Sequence, residues 1–173
     1  MNAARDGTLS FRTGGRAAPA VWPFAFVALA SFGAVAAAIV TQHVYAMDPC
    51  PWCVLERLLF VVIGLFALLG LVWRRATGSR LAGTFALLFA IAGMAATMWQ
   101  HFVAAKSASC NLTLADRIMT ATQLDRLLPD VFEARASCAD AAVTLAGISY
   151  DFLAAAVFLA CAIAMIRALR VAT

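Results

Sequence analysis

Four long apolar stretches constrain this chain more than any other feature of its sequence. They run approximately from Val21 to Val44, Val54 to Trp73, Leu81 to Val103 and Ile148 to Ile166. Each provides the roughly 20 apolar residues that an α-helix needs to cross the hydrocarbon core of a bilayer. Backbone groups inside lipid must form hydrogen bonds within their own segment, so these stretches are expected to be helices. The predicted fold is an all-α, integral membrane four-helix bundle.

The composition supports a membrane protein and excludes two other classes. Of the 173 residues, 64% are hydrophobic and only 13% are charged, which is too little polar surface for a soluble domain. The net charge of +4 does not indicate a nucleic-acid partner, because the basic residues flank the apolar stretches. The first stretch is longer than the apolar core of a signal peptide, so we expect it to be retained.

The charged residues predict how the chain is oriented. One side of the bundle carries eight arginines opposed only by Asp6, namely Arg5, Arg12, Arg16, Arg74, Arg75, Arg80, Arg167 and Arg170. The other side carries five basic and eight acidic residues. Because positive charge is enriched in cytoplasmic loops, both termini are predicted to be cytoplasmic. Residues 1–173 then form a single membrane domain, with a cytoplasmic tail at 1–20 and outer loops at 45–53 and 104–147.

The long outer loop, which joins the third and fourth helices, contains an amphipathic segment from Leu112 to Leu128. Its leucines and Ile118 fall near one helical stripe, and its charged residues lie mostly elsewhere. Two interpretations fit this pattern equally well: a short helix lying on the membrane surface, or an ordinary loop helix packed on the bundle. In both cases the loop ends beside the lipid headgroups.

Four cysteines lie in or beside the two outer loops, where disulfides form and persist. Cys50 and Cys53 have C-x-x-C spacing and lead directly into the second apolar stretch. At a helix start, unpaired N–H groups and the helix dipole favour a thiolate. Arg57 is four residues after Cys53, so it should lie on the same helix face, one turn deeper. Cys110 and Cys138 form a second pair in the long loop.

Other interpretations of these residues remain open. The four thiols could form a zinc site, or two static disulfides in a protein that is not an enzyme. We expect no metal, because an oxidising compartment favours disulfides and Cys110 lies far from Cys138 in sequence. Cys161, within the fourth stretch, is interpreted as a packing residue. His43 and His101 lie at the outer ends of helices and are candidates for proton handling or headgroup contact.

Taken together, these residues resemble the disulfide bond formation protein B (DsbB) family of bacterial inner membranes. The segment Gln42-His43-Val44, followed by Pro49-Cys50-Pro51-Trp52-Cys53-Val54-Leu55-Glu56-Arg57, is similar to the family's first outer loop and the start of its second helix. The four apolar stretches and the two later cysteines extend the resemblance over most of the chain. Pro51 and Trp52, inside the motif, depart from the family pattern.

The resemblance implies a function and a set of site residues. Cys110–Cys138 would be the disulfide offered to a reduced periplasmic thioredoxin-fold (DsbA-like) thiol oxidase. Cys138 would be reoxidised through Cys50, and Cys53 would pass the electrons to a bound quinone, ubiquinone or menaquinone, near Arg57 and His101. The DsbA–DsbB–quinone route is known to keep the bacterial periplasm oxidising, and this expectation rests on the family resemblance alone.

A second quinone-linked family offers an alternative with similar chemistry. Vitamin-K-epoxide-reductase-like oxidases also use a four-helix bundle with two cysteine pairs. In that family the loop pair precedes the C-x-x-C motif. In this chain Cys50 and Cys53 come before Cys110 and Cys138, so the order of the cysteines favours the DsbB-like interpretation.

Overall fold

A computed structural model of the chain describes residues 21–73, 75–106, 113–141, 143–145 and 147–171. Four of its helices are long and apolar enough to cross a membrane, which makes this a multi-pass membrane protein with the predicted all-α fold. These four are α1 (Val21–Tyr45), α2 (Pro51–Val72), α3 (Ala76–Phe102) and α7 (Tyr150–Val171). The predicted cytoplasmic tail and Cys110 lie outside the described residues.

The bounds of the long helices differ from the predicted apolar stretches mainly at their polar ends. Helix α2 begins at Pro51, three residues before the apolar run, because Cys50 caps it and Pro51 occupies its first position. Proline suits that position, since its fixed φ is helical and its missing N–H would have no partner there. Helix α3 begins at Ala76, five residues before Leu81. Hydropathy marks what lies in lipid, whereas caps decide where the helix starts.

The bundle closes as a ring in which α1 packs against α2 and α7, and α3 packs against the same two helices. Phe60 and Phe158 stack face to face across its centre, with ring centroids 3.9 Å apart and planes 3° from parallel. Gly93 of α3 permits this arrangement, because a side chain there would overlap the Phe158 ring. Many large apolar residues on the outer faces of the helices remain exposed, as expected for surfaces that face lipid.

In its described residues the long loop forms a 3-10 helix at Ala104–Lys106, three short α-helices and a small hairpin. The α-helices and strands are α4 (Leu114–Thr122), α5 (Leu124–Leu127), α6 (Pro129–Phe132), β1 (Thr144–Leu145) and β2 (Ile148–Ser149). Thr113 and Asp116 form a capping box at the start of α4. Helix α4 ends because Gln123 has a positive φ of 54°. The predicted amphipathic segment therefore forms two short helices, α4 and α5, instead of one continuous helix.

Helix α4 is packed on the bundle through its small and flexible apolar residues. Ala115 and Met119 are buried in a second cluster with Trp52 and Leu55 of α2 and Phe132 of α6. Of the two interpretations of this segment, the contacts of its buried face match a loop helix packed on the bundle. This second cluster covers the N-terminal end of α2, where the C-x-x-C motif lies.

Candidate functional site

The Cys50 sulfur lies at the centre of a group of three cysteines. Its Sγ is 2.7 Å from Cys53 Sγ and also accepts a hydrogen bond of 3.2 Å from the Cys53 backbone N–H. On its other side it is hydrogen-bonded to Cys138 of the long loop. Among the described residues these cysteines are all thiols rather than disulfides. Cys50 therefore contacts both Cys53 of its own motif and Cys138 of the long loop.

Backbone hydrogen bonds bring Cys138 to this position. The N–H groups of Arg135 and Ala136 both donate to the Pro49 carbonyl, at 2.9 and 3.3 Å. Ser137 and Asp140 then form a closed turn around Cys138, with a hydroxyl-to-carboxylate bond of 2.6 Å. Because Pro49 directly precedes Cys50, these contacts fix the two loop segments side by side.

The environments of Cys50 and Cys138 shift their acidities in opposite directions. Hydrogen bonds to Cys138 and to Cys53, followed by burial, raise the pKa of Cys50. The hydrogen bond from Cys50 lowers the pKa of Cys138, with help from the Trp52 backbone N–H and against the effect of burial. The arrangement favours a Cys138 thiolate beside a protonated Cys50. A thiolate is the form that attacks disulfides.

A cavity of about 220 Å³ opens between α1, α2 and α7 directly beside Cys53. Cys53, Glu56 and Arg57 line one wall, and most of the remaining lining residues are apolar, including Ala34, Ala38, Phe60, Leu153 and Val157. Tyr150 lies at the polar end of the cavity, where its hydroxyl group is 3.3 Å from that of Thr41. A flat apolar ring with polar oxygens suits such a lining.

Arg57 is buried at the cavity and is held by three neutral oxygens from two segments, α1 and α6. One guanidinium nitrogen donates to Gln42 Oε1 at 2.7 Å and to the Val131 carbonyl at 2.9 Å, and the other donates to the Ala38 carbonyl at 3.3 Å. Gln42 is fixed in turn by its bond to the Asp130 carbonyl. A buried cation with neutral partners favours a ligand that gains negative charge.

Glu56 is also buried at the cavity wall. Its Oε1 atom has no hydrogen-bond partner among the described residues, and its side chain contacts Thr97 of α3. An unpartnered buried carboxyl oxygen is costly unless a proton or a ligand satisfies it. Together with Arg57 and Cys53, Glu56 makes the cavity a good fit for a quinone ring, which is apolar with two carbonyl oxygens.

His101, the other predicted cofactor-binding residue, lies beside Asp151. It does not line the cavity; its Nδ1 atom is 3.2 Å from Asp151 Oδ2, and its ring packs against Phe102 and Phe152. A cofactor-binding role for His101 stays a prediction. His43 Nδ1 lies 2.9 Å from the Ile39 carbonyl oxygen of its own helix. Cys161 is fully buried in the core, 3.8 Å from Ser31 Oγ.

The sequence analysis assigned no role to three residues that the structure brings to the site. Gln42 contacts Arg57, Gln100 contacts Cys53, and Asp151 contacts Gln100. Gln42 and Gln100 are buried polar side chains near helix ends, and Asp151 is a buried carboxylate at the start of α7. Each lies within or beside an apolar span, where a polar residue is a functional candidate by default. That signal was present in the sequence for all three. No cluster of metal-ligating side chains occurs among the described residues.

The fold and the site define a class: a four-helix membrane protein that carries a C-x-x-C dithiol at one end of the bundle, beside a mostly apolar cavity. Comparison with known proteins makes the assignment specific. The family model "Disulfide bond formation protein DsbB" matches residues 20–168. The chain belongs to the DsbB family and is a membrane protein of disulfide bond formation.

Individual relatives agree with the family model. A "Disulfide bond formation protein B" of Ralstonia nicotianae is 32% identical over 73% of this chain and 79% of the relative. One of Cupriavidus necator is 34% identical over 66% of this chain and 71% of the relative. A "Disulfide bond formation protein B 2" of Burkholderia lata is 30% identical over 83% of this chain and 85% of the relative. No solved structure gives a significant match.

Proposed function

We propose that this protein is a protein-disulfide:quinone oxidoreductase. It reoxidises a periplasmic DsbA-like thiol oxidase by disulfide exchange and passes the electrons to ubiquinone or menaquinone in the membrane. One observation carries the proposal: Cys50 contacts both Cys138 of the outer loop and Cys53 of the cavity wall. A thiol placed between a loop cysteine and a cavity cysteine connects a soluble partner to a ligand dissolved in lipid.

Thiol–disulfide exchange proceeds through these residues in four successive thiolate attacks. The partner's thiolate attacks Cys110 of a Cys110–Cys138 disulfide, and Cys138 leaves as a thiolate. The partner is then joined to Cys110 in a mixed disulfide. The partner's second thiolate attacks the partner's own sulfur in that bond and releases Cys110, so the partner leaves oxidised and the loop pair is reduced. Cys138 attacks Cys50 of a Cys50–Cys53 disulfide, forming Cys50–Cys138 and releasing the Cys53 thiolate. Cys110 then attacks Cys138, which restores the loop disulfide and releases Cys50.

The net result leaves two electrons and two protons on the Cys50–Cys53 pair. The Cys50–Cys53 pair would give this electron pair and both protons to a quinone held in the cavity. Cys53, Glu56 and Arg57 all line that cavity. Arg57 would hold a quinone oxygen as negative charge develops on it, and Glu56 would exchange a proton with the quinone. When Cys50 is in the disulfide it has no S–H to donate, but the Trp52 backbone N–H, which also lowers the pKa of Cys138, remains and supports Cys138 as the attacking thiolate.

The proposed location is the bacterial inner membrane, with both termini cytoplasmic and the cysteine loops periplasmic. The arginine asymmetry of the sequence supports this orientation. A membrane-impermeant maleimide applied to intact spheroplasts under reducing conditions should label Cys138. Labelling only after the membrane is permeabilised would contradict the orientation.

Turnover of purified protein tests the proposed reaction. A reduced DsbA-type protein and a short-chain ubiquinone are mixed with the protein in detergent, and the loss of quinone absorbance is followed together with the partner's thiol content. The parent and Cys161→Ser should oxidise the partner with one quinone consumed per disulfide formed. Cys53→Ser should be inactive. Undiminished quinone-dependent oxidation by Cys53→Ser would refute the proposed electron path.

A further inference from the structure

A chain of buried polar contacts leads from Cys53 of α2 to α3 and α7. The Gln100 amide nitrogen of α3 donates to Cys53 Sγ at 3.4 Å and to Asp151 Oδ1 of α7 at 2.9 Å. Gln100 is 3% exposed and Asp151 is 5% exposed, so water does not compete for these bonds. The contact connects the cavity cysteine to a carboxylate that the proposed electron path does not use.

The orientation of the Gln100 amide decides whether Cys53 Sγ faces a hydrogen-bond donor or an acceptor. Both hydrogens of the NH₂ group are used, one toward the sulfur and one toward the carboxylate, while the amide oxygen has no partner among the described residues. Turning the amide over would direct its oxygen at the Asp151 carboxylate and at the sulfur, and both are electron-rich. Asp151 therefore selects the orientation in which a donor faces Cys53.

Asp151 is itself held in place by the groups around its second oxygen. His101 Nδ1 lies 3.2 Å from Asp151 Oδ2, and the Ser149 hydroxyl donates to the same atom at 3.5 Å. The His101 ring packs between Phe102 and Phe152 and is only partly exposed. With its rotamer fixed from this side, the carboxylate has one oxygen left to hold the amide.

We propose that Asp151 is a positioning residue that aligns the Gln100 amide so that its N–H group stabilises the Cys53 thiolate. A hydrogen bond to the charged form of a group favours that form. The same donor would assist Cys53 when it leaves from Cys50, and that part of the role rests on the proposed function. Among the described residues, the ionisable groups that face Cys53 or its cavity are Asp48, Cys50, Glu56, Arg57, Cys138, Tyr150 and Asp151.

Alkylation of Cys53 measures this effect without a quinone or a partner protein. Fully reduced protein is treated with iodoacetamide across the pH range in which thiols titrate, and labelling of Cys53 is quantified by peptide mass spectrometry. Asp151→Asn and Gln100→Met should each move the midpoint upward and slow alkylation at neutral pH by about tenfold, the effect of losing one hydrogen bond to a charged group. The double variant should match Gln100→Met alone.

A direct charge effect of Asp151 would give the opposite result. If the carboxylate acted only through its negative charge, Asp151→Asn would ease ionisation of Cys53 and move the midpoint downward. Either that downward shift or additive effects in the double variant would overturn the proposal. An inactive protein that still shows the expected alkylation series would refute the proposed function and leave this inference standing.

Matched variants separate positioning from folding. Asp151→Glu keeps an acceptor carboxylate and should restore the parent's alkylation profile, whereas a profile like that of Asp151→Asn counts against the proposal. Asp125→Asn removes a carboxylate from α5, outside the contacts around Cys53, and should leave the profile unchanged. If Asp151→Asn does not elute as a folded species, Asp151→Ser takes its place, because serine is small and is tolerated in a first helical turn.

Discussion

The Arg57 guanidinium of α2 donates a 2.7 Å hydrogen bond to Gln42 Oε1 at the end of α1. The same nitrogen reaches the Val131 carbonyl of the long loop, and Gln42 bonds the neighbouring Asp130 carbonyl. Arg57 therefore joins two transmembrane helices to the loop that carries Cys138. The same contacts attach the loop to the end of the bundle that carries the C-x-x-C motif.

Replacing Arg57 tests its contribution to quinone use. Arg57→Gln removes the buried charge and shortens the side chain, so we expect the KM for a short-chain ubiquinone to rise about tenfold or more, in line with a lost charge-assisted hydrogen bond. Initial rates at varied quinone concentration give this value. Arg126→Gln, an exposed arginine of α5, is the control and should behave as the parent. An unchanged KM in Arg57→Gln would remove Arg57 from the quinone site.

The pairing of Cys50 with Cys138 predicts a pH dependence. Because Cys50 lowers the pKa of Cys138, the Cys138 thiolate should be present at lower pH than an ordinary thiol. Cys50→Ala removes the S–H donor, so the pKa should rise and alkylation of Cys138 at neutral pH should slow several-fold. Mass spectrometry of the reduced, alkylated protein measures this rate. Equal rates in the parent and Cys50→Ala would mean that the contact does not activate Cys138.

The close packing at Gly93 predicts a difference between two glycine substitutions. Gly93→Ala places a methyl group against the Phe158 ring, and overpacking of this kind costs about 1–3 kcal/mol. Gly33→Ala meets nothing within 4 Å on an exposed helix face and should be neutral or slightly stabilising. Thermal unfolding in detergent compares them. Equal midpoints for the two variants would contradict the described contact between α3 and α7.

Cys161 should be dispensable for electron transfer. It lies in the fully buried core of the bundle beside Ser31, apart from the other described cysteines. Cys161→Ala should keep the parent's turnover and lose about 1 kcal/mol of stability from the small space left behind. Turnover and thermal unfolding of the same preparation check both parts. Loss of turnover with unchanged stability would show that Cys161 takes part in the reaction.

The amino-acid sequence by itself determined the class of fold and one half of the site. Four apolar stretches of bilayer length leave a backbone no alternative to helices, and C-x-x-C before such a stretch places two thiols at a helix start. The four-residue spacing from Cys53 to Arg57 puts both on one face, and both line the same cavity. These features are local, because helical geometry fixes them within a turn or two.

Only the tertiary structure decided which distant residues complete the site. Cys50 meets Cys138, Arg57 meets Gln42 and Val131, and Gln100 connects Cys53 to Asp151. His101, which the family resemblance puts near a quinone, contacts Asp151 and is not among the residues that line the cavity. Such contacts depend on how each helix is rotated about its axis and on how the loop folds back. Packing across the whole bundle sets both, and no spacing within one segment encodes them.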